Sequence, residues 1–231
     1  MQSRSDVAEY AVLFRPTRVS HIRRMSLVAA HPDLFAEPGL PGLSQAGAIV
    51  APDEERVLIA SIDASPLTPF RFHQWFGKRL TVTYGWSYDF DDGSFTPAEA
   101  IPDWLLPVRA RAARFAGLPA DELAQALLIR YDPGAGIGWH RDRPVFEHVL
   151  GISLGAAAAM RFRRRRRGGF DRAAVLLAAR SIYHLTGEAR HQWEHSIAPM
   201  DETRWSITFR SISKTGRQEA MRIQAKAERP L

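Results

Sequence analysis

The types and spacing of three residues predict a metal site. His140 and Asp142 are separated by one residue, and His195 follows far along the chain. Two imidazoles and one carboxylate are the ligands of non-haem Fe(II) oxygenases, because they fill one face of an octahedron and leave the other positions open. In an extended segment, residues i and i+2 point to the same side, so His140 and Asp142 can contact one ion. The third ligand must then come from a distant strand, and His195 is the candidate.

A second segment predicts how a small acid binds beside this metal. Residues 204–210 alternate in polarity, which is typical of a half-buried strand. Guanidinium groups stay charged and bind carboxylates through paired hydrogen bonds, so two arginines on one face can hold a dicarboxylate. Such a pair beside a metal favours an oxygenase that uses 2-oxoglutarate; the alternatives are structural histidines and a solvated arginine face. The polar face of the segment carries Arg204, Ser206, Thr208 and Arg210.

The order of these motifs resembles that of the AlkB family of Fe(II)/2-oxoglutarate dioxygenases. The resemblance covers about residues 70–212. Its matching pieces are Tyr131-x-Pro133-Gly134, His140-x-Asp142, His195 and Arg204-x-x-x-Thr208-Phe209-Arg210. A bacterial branch of that family is similar in two further runs, Tyr84-Gly85-Trp86-x-Tyr88-Asp89 and Gly136-Ile137-Gly138-Trp139-His140-Arg141-Asp142.

The resemblance implies a fold and an activity. The fold would be mainly β with flanking helices (α+β), built on a double-stranded β-helix, or jelly-roll, core. The activity would be oxidative demethylation of alkylated nucleobases in DNA or RNA, with Fe(II) as cofactor and 2-oxoglutarate and O₂ as cosubstrates. By the same resemblance, His140, Asp142 and His195 would hold the iron.

The resemblance also implies a cosubstrate site. Arg204, helped by Tyr131 and Ser206, would bind the far carboxylate of 2-oxoglutarate, and Arg210 would lie nearer the carboxylate at the iron. Two positions depart from the family pattern, because many members carry asparagine where this chain has Ile129 and Ser206. We therefore expect cosubstrate binding to persist with fewer hydrogen bonds.

Composition limits the class of protein. A chain of 231 residues is one ordinary domain or one domain with tails, and no apolar run approaches the ~20 residues of a membrane-spanning helix. The absence of cysteine excludes a disulfide framework and a thiolate zinc site. The first 24 residues lack the apolar core of a secretory signal. We expect a cytoplasmic monomer with no membrane partner.

The positive charge is concentrated in one run. The formal net charge is +6, and Arg161 with residues 163–167 supplies six positive charges. A local basic run favours an anionic partner such as a nucleic-acid backbone, whereas the alternative is a solvated hairpin tip. If a strand continues through the run, Arg164 and Arg166 face the other way. The predicted backbone-binding face carries Arg161, Arg163, Arg165 and Arg167.

Turn and periodicity signals divide the chain into three parts. Residues 1–40 are predicted to be an N-terminal extension without fixed structure, and residues 214–231 a C-terminal tail that is either a helix or a loose segment. Residues 41–213 would form the catalytic domain, with a helical and lid region over 41–120 and the jelly-roll core over 121–213. Strands are predicted at 79–84, 126–131, 149–154, 159–164, 172–178, 181–187, 191–197 and 204–212.

Substrate-binding residues are harder to predict from the sequence. Aromatic residues cluster over residues 70–90, and most of them should belong to the core. Tyr84, Trp86 and Tyr88 share a parity, so in an extended segment they would line one face and stack on a base. Glu147 and Arg190 flank the metal motifs and can line the same pocket. Two alternatives stay open: the same chemistry on a protein or small molecule, and a non-enzymatic nucleic-acid-binding jelly roll.

Overall fold

The protein is built mainly from antiparallel strands. The computed structural model describes residues 39–72, 75–89 and 91–227. Its elements, in chain order, are β1 (Leu43–Ala46), α1 (Pro52–Asp63), β2 (Thr68–Phe72), β3 (Trp75–Tyr84), β4 (Trp86–Tyr88), β5 (Phe95–Pro97), α2 (Leu106–Ala116), β6 (Gln125–Tyr131), β7 (Ile137–His140), β8 (Phe146–Gly155), β9 (Ala158–Arg166), β10 (Gly169–Leu177), β11 (Ile182–Leu185), α3 (Gly187–His191), β12 (Glu194–Ile197), β13 (Arg204–Ile212) and α4 (Lys214–Ala227). Short 3-10 helices occupy Asp103–Leu105 and Ala120–Glu122.

Two sheets carry the site between them. The major sheet has seven strands in the order β1-β11-β8-β13-β6-β3-β2, and the minor sheet has four in the order β10-β9-β12-β7. The strands β4 and β5 form a separate hairpin. These antiparallel sheets confirm the predicted fold class, a mainly β jelly roll with few helices. Among the described residues, no helix is long and apolar enough to cross a membrane.

The two faces of the major sheet are buried in different ways. On β8, Leu150, Ile152 and Leu154 belong to a core cluster that includes residues of α1 and α2. Val149, one position out of phase, belongs to a second cluster with Met160 of β9. Successive side chains of a strand point to opposite faces, so one face of β8 packs against the helices and the other faces the interior of the jelly roll. Burial of both faces fixes the register of the strands around the site.

Several predicted boundaries change in the structure. The strand predicted over 181–187 ends at Leu185, and residues 187–191 form α3 instead. Of the two forms predicted for the C-terminal tail, the structure has the helix, which runs through Ala227, and its Ala220 packs in a cluster with Phe95. The extension predicted over residues 1–40 lies outside the described residues except for its last two positions.

A histidine pair in the major sheet predicts that the free energy of unfolding falls in acid. His148 and His184 are joined by a hydrogen bond of 2.9 Å between Nδ1 and Nε2. Burial, and secondarily the nearby His148, lower the pKa of His184 to about 4. The folded state therefore excludes a proton that the unfolded chain accepts below its ordinary value of 6.5. Stability is lost as the pH falls from 6.5 towards 4, by on the order of 2–3 kcal/mol at about 1.4 kcal/mol per unit.

Urea unfolding between pH 7 and pH 4 measures this loss. We expect His184→Gln to depend less steeply on pH than the unaltered chain over that interval. An identical slope in both proteins would show that His184 does not titrate with unfolding.

Candidate metal and cosubstrate site

Two strands and one loop bring the predicted metal ligands together. His140 is the last residue of β7, Asp142 lies in the following loop, and His195 of β12 is paired in register with His140. The two imidazole ring centroids are 4.2 Å apart, and His195 Nε2 lies 3.6 Å from Asp142 Oδ2. The candidate ligand atoms all lie within 4.8 Å of one another, which is compatible with one shared ion.

The Asp142 carboxylate leaves one oxygen available for a cation. Its Oδ1 accepts a hydrogen bond from Arg210 Nε at 2.9 Å and lies 2.7 Å from Arg210 Nη2 in the same ion pair. Its Oδ2 is buried and has no hydrogen-bond partner among the described residues. Burial alone would raise the pKa of Asp142, but Arg210 and the two histidines hold it well below the usual range. A buried, ionised oxygen without a donor is costly unless a ligand satisfies it, so this atom fits a metal.

Both histidines are prepared for metal binding. His140 Nδ1 lies 2.9 Å from the carbonyl oxygen of Gly138, so Nδ1–H donates and Nε2 keeps its lone pair. Burial lowers the pKa of His140, and it lowers that of His195 to about 3. Neutral imidazoles are the form that ligates metals. The residues present therefore fit an iron ion.

A cavity of about 710 Å³ adjoins the three ligands. Its size is within the ordinary range for small-molecule sites. One wall is the polar face of β13, because alternate residues of that strand point inward. The opposite wall includes Met160 and Ile197 of the minor sheet. The residues that β13 contributes are Arg204, Ser206, Thr208 and Arg210.

The far end of this wall offers an anion site. Arg204 is only 1% exposed and donates from Nε to Ser153 Oγ at 3.0 Å. Its guanidinium carbon lies 5.1 Å from the centroid of the Tyr131 ring. Its Nη1 is buried without a hydrogen-bond partner among the described residues. A buried cation with an unused donor is stabilised by an anionic ligand, which is what a dicarboxylate supplies.

The two departures from the AlkB pattern lie at one place in this wall. The pairing of β13 with β6 sets Ser206 opposite Ile129, and both residues line the cavity. Ser206 is also opposite Ser153 on β8. Two amides that many relatives would place here are thus replaced by one hydroxyl and one hydrocarbon side chain, which offer fewer hydrogen bonds to a ligand.

The structure does not bring Tyr84 to the cavity, although the sequence predicted it as a substrate platform. Gly85 adopts a φ of +79° and separates β3 from β4, so the assumed parity is interrupted. Tyr84 is 4% exposed in the helical core, and Trp86 stacks on Phe95 at 4.8 Å. Tyr88 does line the cavity, where Arg143 lies 4.3 Å from its ring.

Glu147 and Arg190 also lie outside the cavity lining, contrary to prediction. Glu147 Oε1 is 2.9 Å from His191 Nε2. Arg190 is buried and donates from Nη2 to the carbonyl oxygens of Arg143 and Phe146, at 2.7 and 2.6 Å. Arg190 therefore stabilises the loop that follows Asp142 and does not contact a ligand in the cavity.

Sequence reasoning missed a cation at the cavity. Arg79 lines it, and its guanidinium carbon lies 3.7 Å from the centroid of the Phe70 ring, which also lines it. Burial lowers the pKa of Arg79. The sequence predicted a strand from residue 79, but no motif marked its first residue as functional. Tyr183, likewise unmarked, is buried at the same cavity, and burial raises its pKa to about 12.

The arginines of residues 161–167 lie in different environments in the structure. Arg164 pairs with Glu188 at 2.7 Å, and Arg166 pairs with Asp171 at 2.9 Å. Arg167 lies in the turn after β9, because the strand ends at residue 166. The predicted alternation therefore applies to Arg161 and its neighbours on β9 but does not extend to Arg167.

The fold and the site together define an Fe(II)- and 2-oxoglutarate-dependent dioxygenase. Residues 68–224, more than half of the chain, match the model of the 2OG-Fe(II) oxygenase superfamily, and the protein belongs to that superfamily. Its cofactor is accordingly Fe(II), with 2-oxoglutarate and O₂ as cosubstrates.

Individual relatives place the chain near AlkB homologues. It is 30% identical over 164 residues to the tRNA (carboxymethyluridine(34)-5-O)-methyltransferase alkbh8 of Xenopus tropicalis, a match that covers 69% of this chain and 25% of that protein. The chain thus spans about a quarter of that relative's length. It is 27% identical over 225 residues to the alkylated DNA repair protein ALKBH8 homolog of Arabidopsis thaliana, covering 85% of this chain and 61% of that protein.

Solved structures agree on the fold. OsALKBH1 superposes with a TM-score of 0.57 at 13% identity, covering 74% of this chain and 96% of that one. A Pseudomonas putida prolyl-4-hydroxylase superposes with a TM-score of 0.51 at 16% identity, covering 78% and 96%. At these identities the likeness concerns the jelly-roll fold alone.

Proposed function

We propose that this protein is a bacterial AlkB-like enzyme that oxidatively demethylates alkylated nucleobases in DNA or RNA. The observation that carries the proposal is the cavity that joins the His140, Asp142 and His195 cluster to the buried Arg204. Relatives whose names refer to tRNA and to alkylated DNA support a nucleic-acid substrate. The protein acts as a monomer in the cytoplasm.

The residues of the site have separate tasks in this proposal. His140, Asp142 and His195 hold the iron through the two Nε2 atoms and Asp142 Oδ2. Arg204 binds the far carboxylate of 2-oxoglutarate, with Tyr131 and Ser206 beside it. Arg210 is a positioning residue, because it donates to Asp142 Oδ1 and thereby directs Oδ2 towards the metal.

The chemistry depends on the cosubstrates. When bound, the iron, 2-oxoglutarate and O₂ supply the oxidant that hydroxylates a C–H bond, and the protein orients the substrate and shields the site. If the carbon is attached to a nucleobase nitrogen, the hydroxylated product breaks its C–N bond and releases formaldehyde. Tyr88, Phe70 and Arg79 are among the side chains at the cavity that can contact a base or its phosphate.

Substrate profiling tests this proposal. Release of succinate and formaldehyde is measured with methylated oligonucleotides, methylated histone peptides and methylated free nucleosides. We expect equal amounts of both products above background with methylated oligonucleotides, and only background succinate with unmethylated ones. Products formed from peptides alone, or from free nucleosides at least as readily as from oligonucleotides, would favour a protein or small-molecule substrate instead. A protein that binds oligonucleotides but turns over no 2-oxoglutarate would be a non-enzymatic binder.

A further inference from the structure

A cationic and aromatic surface covers the side of the minor sheet that points away from the cavity. On β9, Met160 and Phe162 are buried in the interior, whereas the alternate residues point outward. The register pairs Arg163 with Glu194 on β12 and with Arg172 on β10. We define the arginine face by its outward residues Trp139, Arg161, Arg163, Arg165, Phe170 and Arg172.

The arginines of this face lie over its two aromatic rings. Arg163 lies 4.5 Å from the Trp139 ring and 4.9 Å from the Phe170 ring. The guanidinium of Arg161 is 5.3 Å from the ring of Trp139. Arg165 and Arg172 are 5.9 and 5.7 Å from the ring of Phe170. Contact with aromatic faces orders the guanidinium groups and leaves their N–H donors directed at solvent.

The charge on this face is poorly compensated. Arg163 pairs with Glu194 at 2.6 Å. Among the described residues, Arg161 donates a hydrogen bond to the hydroxyl of Ser196, at 3.2 Å. In the described part of the chain, no carboxylate pairs with Arg161, Arg165 or Arg172. On the other side of the same strand, by contrast, Arg164 and Arg166 both have acidic partners.

Such an arrangement costs stability in the isolated protein. Arg163 and Arg172 are directly opposite each other, and like charges in that position destabilise a sheet. The cost is offset when a polyanion lies across the face. Nucleic-acid backbones are polyanions that arginine binds through paired hydrogen bonds.

The face is continuous with the cavity. Although Trp139 is on the outward side of β7, that strand is the edge of the minor sheet, and Trp139 is also among the residues that line the cavity. From β7 to β10 there are three strand steps, and at about 4.8 Å per step they span about 14 Å. A strand with one nucleotide in the cavity can therefore continue over Trp139 towards Phe170.

We propose that the arginine face binds the phosphodiester backbone of the single-stranded segment flanking the reacting nucleotide. This inference rests on the proposed nucleic-acid substrate. The face contributes affinity and little sequence preference, because its contacts are with phosphates and not with base edges.

Two matched triple variants test the proposal. Arg161→Gln/Arg165→Gln/Arg172→Gln removes the exposed arginines of the face that lack a carboxylate partner. Arg56→Gln/Arg114→Gln/Arg222→Gln removes three exposed helical arginines and changes the net charge equally. Fluorescence anisotropy with a labelled unmethylated single-stranded oligonucleotide measures affinity between 50 and 200 mM salt. The full chain carries Fe(II) and 2-oxoglutarate and is kept free of O₂.

The expected results differ sharply between the two variants. Three phosphate contacts at about −0.7 each give a contribution of about −2 to the log–log salt slope, or roughly a 16-fold affinity loss over this interval. The face variant should lack that contribution for every oligonucleotide sequence, and the helix variant should retain it. An unchanged slope in the face variant, or an equal loss in both variants, would overturn the proposal.

Turnover separates this inference from the proposed function. Succinate formation without a nucleic-acid substrate should be the same in the face variant and the unaltered protein, because the metal site is untouched. If the unaltered protein binds oligonucleotides through the face but releases no formaldehyde from methylated ones, the proposed reaction fails and the binding surface stands. If it demethylates oligonucleotides with the same KM in the face variant, the surface fails and the reaction stands.

Discussion

We expect that replacing any one of His140, Asp142 or His195 by alanine abolishes Fe(II)-dependent turnover of 2-oxoglutarate. Each change removes one of three atoms that lie within 4.8 Å of one another. Loss of a partner that merely orients a ligand already costs roughly 10–100-fold in metal affinity or activity, so loss of the ligand itself should cost more. Succinate formation and iron content per chain, measured on the same preparations, check this expectation.

The structure also identifies which of these variants requires a stability control. Asp142 is the carboxylate partner of the half-buried Arg210, and removing one member of a buried pair typically destabilises by about 3–5 kcal/mol. Asp142→Asn keeps an oxygen that can accept from Arg210 and separates ligand loss from unfolding. Near-normal turnover in folded Asp142→Ala or His195→Ala would show that the ligand assignment is wrong.

Arg204→Ala raises the KM for 2-oxoglutarate by about 10- to 100-fold, because losing a charge-assisted hydrogen bond costs roughly 1.5–3 kcal/mol. Arg204→Lys keeps the charge and should raise KM less, although lysine cannot reproduce the paired donors of a guanidinium. Ser153→Ala removes only the neutral acceptor of Arg204 Nε and should have a smaller effect than either. Initial rates over a range of 2-oxoglutarate concentrations give kcat and KM separately.

Arg204 is almost fully buried, so thermal unfolding of each variant must accompany the kinetics. The KM for 2-oxoglutarate should rise in Arg204 variants that remain folded. An unchanged KM in folded Arg204→Ala would remove this residue from the cosubstrate site, and an equal effect of Ser153→Ala would assign the interaction to positioning of the side chain.

The candidate metal ligands and the strand β13 could be predicted from the sequence for a physical reason. One-residue spacing and two-residue periodicity are local properties that survive in any extended segment. They correctly grouped Arg204 with Arg210 on one face and His140 with Asp142 at one site. The pairing of His140 with His195 depends on strand order, which the local pattern does not contain.

The substrate side could not be predicted in the same way. The parity argument for Tyr84 assumed an unbroken strand, and Gly85 interrupts it. Arg190 is close to the metal motifs in sequence, but its guanidinium donates hydrogen bonds to two backbone carbonyl oxygens and does not reach the cavity. Arg79 reaches the cavity only because β3 lies beside β6 in the major sheet. Each case depends on contacts between distant segments.

The placement of the positive charge in the arginine run also depends on contacts between distant segments. The alternation in its sequence predicted that Arg164 and Arg166 face away from the other arginines of β9, as they do, but it could not show that both have acidic partners. Trp139 and Phe170 join that set through strand pairing and lie far apart in sequence. Composition therefore predicted the presence of the positive charge, and the sheet register determined which part of it stays available to a ligand.

Anaerobic titration measures whether one iron ion and one 2-oxoglutarate bind together in the cavity. A 2-oxo acid chelated to Fe(II) absorbs visible light, so binding is observed without knowing the substrate. We predict that the visible absorption of the unaltered protein saturates at one Fe(II) and one 2-oxoglutarate per chain, and that it is absent from folded His195→Ala. No absorption in the unaltered protein, or equal absorption in His195→Ala, would contradict the account.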